Sequence, residues 1–160
     1  MIAKEFHGIE SFMLHLAEVD LAVKVMEHKA LEKCAKLIEK DAKEQLGYYQ
    51  GQVGPFAKWD DLKEATVKHH ESLGVGDTPL MLTGELYASI EHEVHENEAF
   101  IGSKSDVAVY QEMGTSTIPP RPFLGPAAFK NKEKIEKIVG SAVVSAMLYG
   151  AEGAFVPLFD

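Results

Sequence analysis

The stretch that decides the fold is Tyr110-Gln-Glu-Met-Gly-Thr-Ser-Thr-Ile-Pro-Pro-Arg-Pro-Phe-Leu-Gly-Pro-Ala-Ala-Phe129, which separates two helical patterns. Four of the seven prolines of the chain fall within eight residues of this stretch. Proline fixes φ and lacks an N–H, so Thr117 to Phe123 should form a stiff, extended arm that cannot join the middle of a sheet. Because such an arm loses little entropy when it docks, the stretch predicts an assembly element rather than a catalytic loop.

Length and composition predict one globular domain, residues 1–160. The chain has 160 residues, of which 46% are hydrophobic and 26% charged, as is ordinary for a globule with its own core. No apolar run is long enough to cross a bilayer, and Met1 to Asp20 does not read as a signal peptide. We therefore expect no membrane partner and a protein that is made in the cytosol. Cys34, the single cysteine, excludes an internal disulfide and lies on a helical apolar stripe, which indicates a structural role.

Charge is distributed unevenly along the chain. The net charge is −9, and residues 60–113 alone carry −9, whereas residues 121–137 carry +3. Oppositely charged surfaces of this kind could attract copies of the chain head to tail. The alternative interpretation is that these charges only lie on helix faces in contact with solvent. The acidic segment repels phosphate and no basic stripe interleaved with aromatic residues occurs, so direct nucleic-acid specificity is not expected.

The hydrophobic pattern predicts an α+β fold, in which a small antiparallel hairpin sheet packs against long N-terminal and C-terminal helices, with the proline-rich loop before the last helix. In the first half of the chain, the pattern predicts a short helix over 9–19, a longer helix capped by Asp20 and running to Gln45 before Gly47, and a helix from Trp59 to His70. In the second half, it predicts a hairpin over 89–102 and a helix over 106–113 that is ended by Gly114 in the αL conformation. A last helix is opened by Gly125-Pro126. The apolar stripes are Val23, Met26, Ala30, Cys34 and Leu37 in the first long helix, and Leu124, Ala128, Ile135, Val139, Ala142 and Ala146 in the last. Residues 150–160 form an apolar tail, which is a candidate second docking arm.

Histidine offers the one catalytic alternative. His69-His70 and His92-Glu93-Val94-His95 are the clusters, but a zinc-protease helix needs histidines four apart, and the strand pattern sends His92 and His95 to opposite faces. No nucleophile elbow, phosphate-binding loop or dinucleotide fingerprint occurs. We predict no catalytic residue, no metal and no cofactor. The alternative hypothesis is a small metal-binding hydrolase or regulator that uses these four histidines.

A series of short blocks gives the chain a family resemblance. The blocks are Trp59-x-x-Leu62-x-x-x-Thr66, Pro79-Leu80-x-Leu82-Thr83-Gly84-x-Leu86-x-x-Ser89-Ile90, Ile101-Gly102, Ala108-x-Tyr110-Gln111-x-x-Gly114-Thr115 and Pro120-Arg121-Pro122-Phe123-Leu124-Gly125-Pro126-Ala127. In order and spacing they resemble the tail-completion proteins of tailed bacteriophages, in particular the phage Mu-type virion morphogenesis family and the lambdoid head-tail joining family. The resemblance implies a non-enzymatic virion protein of the tail or neck that forms a hexamer-like homo-oligomeric ring. Its implied partners are the tail tube, the tail terminator or the head connector.

The candidate site residues follow from the loop and the blocks. Arg121 is the foremost interaction candidate, since a guanidinium between two prolines can bind a neighbour's carboxylate, and the alternative is an intrachain salt bridge to the acidic segment. Phe123 and Leu124 anchor the arm either on their own last helix or in a neighbour's pocket. Thr83 is a candidate N-cap. The assembly-interface candidates are Thr115, Ile118, Pro119, Pro120, Arg121, Pro122, Phe123, Phe155 and Phe159, and the structural motif residues are Trp59, Leu62, Leu82, Thr83, Gly84, Tyr110 and Gly114.

Overall fold

The computed structural model describes residues 5–149, and it confirms the α+β class. Its elements are α1 (Ile9–Gln45), α2 (Glu64–Ser72), α3 (Glu85–Ser89), β1 (Ile90–His95), β2 (Glu98–Ser103), α4 (Asp106–Met113), α5 (Leu124–Lys130) and α6 (Lys132–Tyr149). The strands β1 and β2 pair in a two-stranded antiparallel sheet. Within the described residues the chain groups into two compact units: the first comprises 5–34, 94–98 and 134–149, and the second comprises 35–93 and 99–133. No helix of this described part is long and apolar enough to cross a membrane.

The first unit is built on the packing of α1 against α6. Its buried core consists of Ala22, Met26 and Ala30 from α1 with Ala142 and Ala146 from α6. Four of these five side chains are alanines, which allow two helix backbones to approach closely. The predicted positions of Met26, Ala30, Ala142 and Ala146 on the buried stripes are confirmed.

Helix α1 is continuous over 37 residues, so the predicted break at Asp20 is wrong. Neither glycine nor proline occurs between Ile9 and Gln45, and nothing else in this range stops a helix. Asp20 therefore lies in the helix interior, where its carboxylate accepts a hydrogen bond of 2.8 Å from Lys24 Nζ, one turn later. The predicted end at Gln45 is confirmed, and Gly47 beyond it has φ of 91° and donates its N–H to Pro79 O at 2.7 Å.

The second unit encloses a larger core, and the proline-rich loop contributes to it. The buried members of this core are Ala42, Leu46, Trp59, Leu86, Ile90, Ala108, Phe123 and Ala127. The hairpin supplies Ile90, and exposure then alternates along β1 as the period-2 pattern predicts. Phe123 is fully buried in this core.

Three predicted boundaries differ from the structure. Helix α2 begins at Glu64, and Trp59 lies before it in irregular chain. Gly114 follows α4 as predicted, but with φ of 74° and ψ of 173° it is outside the αL region. The last helix is divided into α5 and α6 at Asn131, whose Nδ2 donates to Ala127 O at 2.9 Å.

The division at Asn131 changes which alanine of the last helical region is buried. Asn131 is almost fully buried and also donates to the Asp41 carboxylate at 2.5 Å. In the helix before it, Ala127 lies in the core and the predicted Ala128 is exposed. The predicted stripe is therefore wrong by one residue in α5, and it is right again at Ala142 and Ala146 in α6.

Candidate assembly site

Residues 115–123, here called the proline loop, divide into an inner half that belongs to the core and an outer half at the surface. The inner half is 121–123, and side chains of the second unit satisfy its backbone. Trp59 Nε1 donates to Pro122 O at 3.0 Å, and Gln45 Nε2 donates to Phe123 O at 3.0 Å. The Arg121 N–H donates to Gln111 O at 2.6 Å. These hydrogen bonds fix the inner half of the loop to the core of the second unit.

Glu112 fixes the point where the loop enters α5. Its carboxylate accepts three backbone N–H bonds, from Phe123 at 2.8 Å, Leu124 at 3.0 Å and Gly125 at 2.9 Å. The first N–H groups of a helix have no partner within that helix, and a negative charge there is favoured by the helix dipole. A carboxylate from α4 thus serves as the cap of α5, since Phe123 at the N-cap position provides no side-chain cap.

Arg121 holds the loop to the segment before α2. Its side chain is only 5% exposed, and Nη2 donates to Asp60 O at 2.9 Å and to Asp61 O at 3.2 Å, while Nε donates to Asp60 O at 3.2 Å. The partners lie in the acidic segment, but they are backbone carbonyls and not the carboxylates that the sequence suggested. A direct contact with a neighbouring subunit requires a guanidinium that reaches outward, and this one is committed to its own chain.

The outer half of the proline loop, residues 115–120, forms a compact turn at the surface. Thr115 Oγ1 accepts from Thr117 N at 3.2 Å and from Ile118 N at 3.1 Å, and the Thr115 N–H donates to Ile118 O at 2.9 Å. Thr115 and Pro120 are exposed, and Ile118 and Pro119 are half-buried. Of these four predicted interface residues, Thr115 and Pro120 are therefore open to contact, on a turn whose internal hydrogen bonds reduce the entropy lost on binding.

A cavity of about 790 Å³ opens beside the loop in the second unit. Residues from four of the recognised blocks line it, namely Leu62 and Thr66, Leu80 to Gly84, Gln111, and Arg121. Ile118 and Pro119 of the proline loop, which lie between blocks, also line it. Leu80 has φ of 61°, which is a rare backbone conformation for a bulky residue and one that tends to occur at functional sites. Blocks that are separated in the sequence thus converge on one concave surface.

Two buried polar atoms in the cavity wall lack a hydrogen-bond partner within the described residues. They are His70 Nδ1 and Gln111 Oε1, and the His70 side chain is only 7% exposed. A buried polar group without a partner is costly and rare in native proteins. Together with the apolar lining, these atoms suit an extended segment that brings apolar side chains and backbone polar groups.

The four clustered histidines lie in different surroundings in the described part of the chain. Among residues 5–149, no three His, Cys, Asp or Glu side chains are grouped so that they could hold a metal ion. His92 Nδ1 bonds the Glu39 carboxylate, which also accepts from Lys43 Nζ at 2.5 Å, while His95 lies on the other face of β1. Burial raises the pKa of Glu39, but the hydrogen bonds and charges of Lys43 and His92 outweigh it and hold that pKa below its usual range. His92 therefore belongs to a side-chain cluster with Glu39 and Lys43, and His95 does not.

The remaining predicted residues have mixed roles. Gly84 is left-handed, with φ of 80°, and it occupies the N-cap position of α3 that was predicted for Thr83. Thr83 Oγ1 instead accepts from Glu85 N at a long 3.4 Å. Leu82 and Tyr110 are exposed, and Leu62 is half-buried in the cavity wall. Phe155 and Phe159 lie outside the described residues, as does the whole predicted arm 150–160.

Sequence reasoning missed the residues that hold the loop in place. Glu112, Gln45 and Asn131 act on backbone or side-chain groups that are 11 to 90 positions away. Local patterns do not show such partners. The one available signal was an acidic residue in the last turn of α4, where the helix dipole favours a basic one.

The chain is similar to a known prophage protein. It shares 30% identity over 95 residues with Mu-like prophage FluMu G protein 1 of Haemophilus influenzae. The match spans 58% of this chain and 64% of that protein, which is less than two thirds of its length. No model of a known protein family matches the chain, and no solved structure matches it. This similarity supports the interpretation that the chain is a bacteriophage protein.

Proposed function

We propose that this protein is a structural component of a tailed phage or prophage virion, that it acts in tail completion or head-tail joining, and that it assembles as a homo-oligomeric ring. The observation that carries the proposal is the convergence of the recognised blocks on the proline loop and the adjoining cavity. The similarity to a Mu-like prophage protein supports the phage setting.

The outer half of the proline loop is the surface that we assign to assembly. Thr115 and Pro120 are exposed and held rigid by the hydrogen bonds of the turn, so that little entropy is lost on docking. A ring needs two unlike surfaces on each subunit, and the cavity of the second unit, with its unpartnered His70 and Gln111, is the concave candidate. Arg121 and Phe123 contribute by holding the loop in shape and not by touching the neighbour.

The role in the virion is tested by removing the gene from a phage or an inducible prophage that encodes it. We expect lysates to contain DNA-filled heads and separate tails, visible by electron microscopy, with infectious yield restored by a plasmid copy. Normal particles in the deletion strain, or the absence of this polypeptide from purified wild-type particles, would refute a structural role. A block before head filling would place the protein at an earlier step than tail completion.

The partners are tested with purified full-length chain. We expect it to form rings of uniform size, either alone or when mixed with tail tubes or with heads that carry their connector, and to sediment with one of these assemblies. Ring size by mass photometry decides whether a hexamer forms. If the chain binds neither tubes nor connectors and remains monomeric with both, the ring proposal is wrong.

A further inference from the structure

The cavity beside the proline loop has an acidic opening. Three exposed acidic residues line it, Asp60, Asp61 and Glu85, against one exposed lysine, Lys63. Arg121 also lines it, but its guanidinium is buried and donates to backbone carbonyls of the same chain. An opening with more carboxylates than cations attracts positive charge, so the occupant of this cavity should carry a positively charged group.

Two buried atoms of the cavity wall can accept hydrogen bonds and receive none within the described residues. Gln111 Oε1 is an acceptor, and His70 Nδ1 is one when the ring proton lies on Nε2. A lysine side chain brings an ammonium group that only donates and a methylene stem that packs against apolar residues such as Leu80 and Met81. A lysine therefore satisfies this wall better than a carboxylate, which only accepts.

A rigid basic corner lies in the second unit where α5 ends. We call residues 128–132 the basic corner, because Lys130 and Lys132 are both exposed there. Asn131 between them is almost fully buried and donates to the Asp41 carboxylate at 2.5 Å. This hydrogen bond fixes the backbone between the two lysines, so that little entropy is lost when the corner docks.

The basic corner and the cavity are separate surfaces of the second unit. Among the described residues, none from 124 to 133 lines the cavity. The corner also offers Phe129, which is 48% exposed, as an apolar side chain beside Lys130. Two unlike surfaces of complementary charge can join copies of one chain head to tail. We propose that the basic corner of one copy docks at the cavity of the next copy, with its two lysines facing the acidic opening.

This contact rests on the ring assembly proposed above and names what the cavity receives. Ile118 and Pro119 of the outer half of the proline loop line the same cavity, so the loop and the cavity meet the neighbour as one surface. The basic corner of that neighbour is the unlike surface. Because the cavity receives a second copy and not another virion protein, the contact builds the ring itself and leaves other surfaces for the tail or the head.

Charge reversal on either side of the contact tests it by complementation of a gene deletion. Lys130→Glu with Lys132→Glu should lower the infectious yield by about tenfold or more, because like charges then face each other. Asp61→Lys with Glu85→Lys should do the same. The variant that carries all four changes should regain a yield about tenfold above that of either double variant. No gain in the combined variant, or full complementation by either double variant, overturns the contact.

The controls separate this contact from folding and from the proposed function. Lys68→Glu makes the same charge change on α2, about 200° around the helix from the cavity-lining Thr66 and His70, and should complement fully. Both double variants should keep the far-ultraviolet circular dichroism of the parent, since all four residues are exposed. If the deletion leaves the yield unchanged, the proposed function itself is wrong. If the deletion blocks assembly and the double variants still complement, only this contact is wrong.

Disulfide cross-linking is the independent measurement. The chain carries Cys34→Ser, Lys130→Cys in the basic corner, and Leu82→Cys at a residue of the cavity lining that is 37% exposed. After oxidation of purified particles, we expect a ladder of covalent multimers on a non-reducing gel. Neither single-cysteine variant should give a ladder, nor should the pair Lys68→Cys with Leu82→Cys. Particles that contain the polypeptide but yield only monomers overturn the contact and leave the proposed function standing.

Discussion

Arg121 illustrates how a residue chosen for its chemistry can serve a different purpose in the fold. A guanidinium between two prolines resembles a binding group, yet its nitrogen atoms donate to the backbone carbonyls of Asp60 and Asp61. No local pattern reveals this, because the acceptors lie about 60 positions earlier and are backbone atoms present in every sequence. The sequence predicted that Arg121 is important, but it could not predict which atoms its guanidinium binds.

Replacing Arg121 with alanine should lower the free energy of unfolding by about 2–3 kcal/mol, because hydrogen bonds from a charged group are lost and the carbonyls of residues 60 and 61 lose their donors. Urea denaturation measures the change. Arg121→Lys keeps the charge but not the planar fork, and it should fall between alanine and the parent. Lys58→Ala, at an exposed cation, should stay within about 0.5 kcal/mol. Equal stability of Arg121→Ala and the parent would show that these bonds contribute nothing.

Glu39 gives stability a defined dependence on pH. Its pKa in the folded protein lies below the ordinary value of 4.5 because Lys43 and His92 outweigh the effect of burial. Its contribution is therefore complete above about pH 4.5 and is lost as the pH falls through the folded pKa. Glu39→Gln should lose about 1 kcal/mol of stability at neutral pH and show a flatter decline below pH 4.5.

Unfolding curves in urea at intervals from pH 7 to pH 3 measure that difference. The control is Glu44→Gln, since Glu44 forms an exposed ion pair with Lys40 at 3.7 Å and should leave the profile of the parent unchanged. Curves for Glu39→Gln that run parallel to those of the parent over the whole range would rule out a role for this carboxylate.

At the scale of elements, the sequence predicted those parts whose signals are local. The hairpin follows from alternation along β1, and the end of α4 follows from Gly114 after it. The start of α2 and the division at Asn131 depend on distant partners: Trp59 bonds Pro122, and Asn131 bonds Asp41. Tertiary contacts outweighed local propensity at both places. For the same reason, the sequence could not predict the concave surface that α2 and the proline loop form together.

In the turn from α4 into the proline loop, Gly114 is the position that tolerates a side chain least. Its φ of 74° with ψ of 173° is a conformation almost confined to glycine. A Cβ there would lie 2.9 Å from Pro120 N and 3.0 Å from Ile118 O, which are backbone atoms that cannot move aside cheaply. Gly114→Ala should therefore lower the free energy of unfolding by at least about 2 kcal/mol and reduce the melting temperature.

Gly102→Ala is the matched control for that turn. Gly102 lies in β2, and an added Cβ would meet nothing within 4 Å. Its melting temperature should equal or slightly exceed that of the parent. If alanine is tolerated equally well at both positions, the loop does not depend on the backbone of Gly114.

For the whole molecule, stability and assembly should be separable because they use different halves of one loop. The inner half, with Arg121 and Phe123, is buried in the core of the second unit, whereas the outer half is presented at the surface. Variants of the inner half act on the amount of folded protein. Variants of the outer half act on what the folded protein can bind.

Ile118→Glu tests that separation, because it places a charge on the outer half where the proposed contact with a neighbour would remove it from water. We expect a fall of no more than about 1 kcal/mol in the free energy of unfolding, since Ile118 is only half-buried, and at least a tenfold loss of infectious particles when the variant complements a gene deletion. Leu73→Glu introduces the same charge at an exposed apolar residue of the same unit and should complement fully. For Arg121→Ala, the yield of infectious particles should instead fall in proportion to the loss of stability, and it should recover when the cells are grown at lower temperature. Full complementation by Ile118→Glu would mean that the outer half of the loop does not take part in assembly.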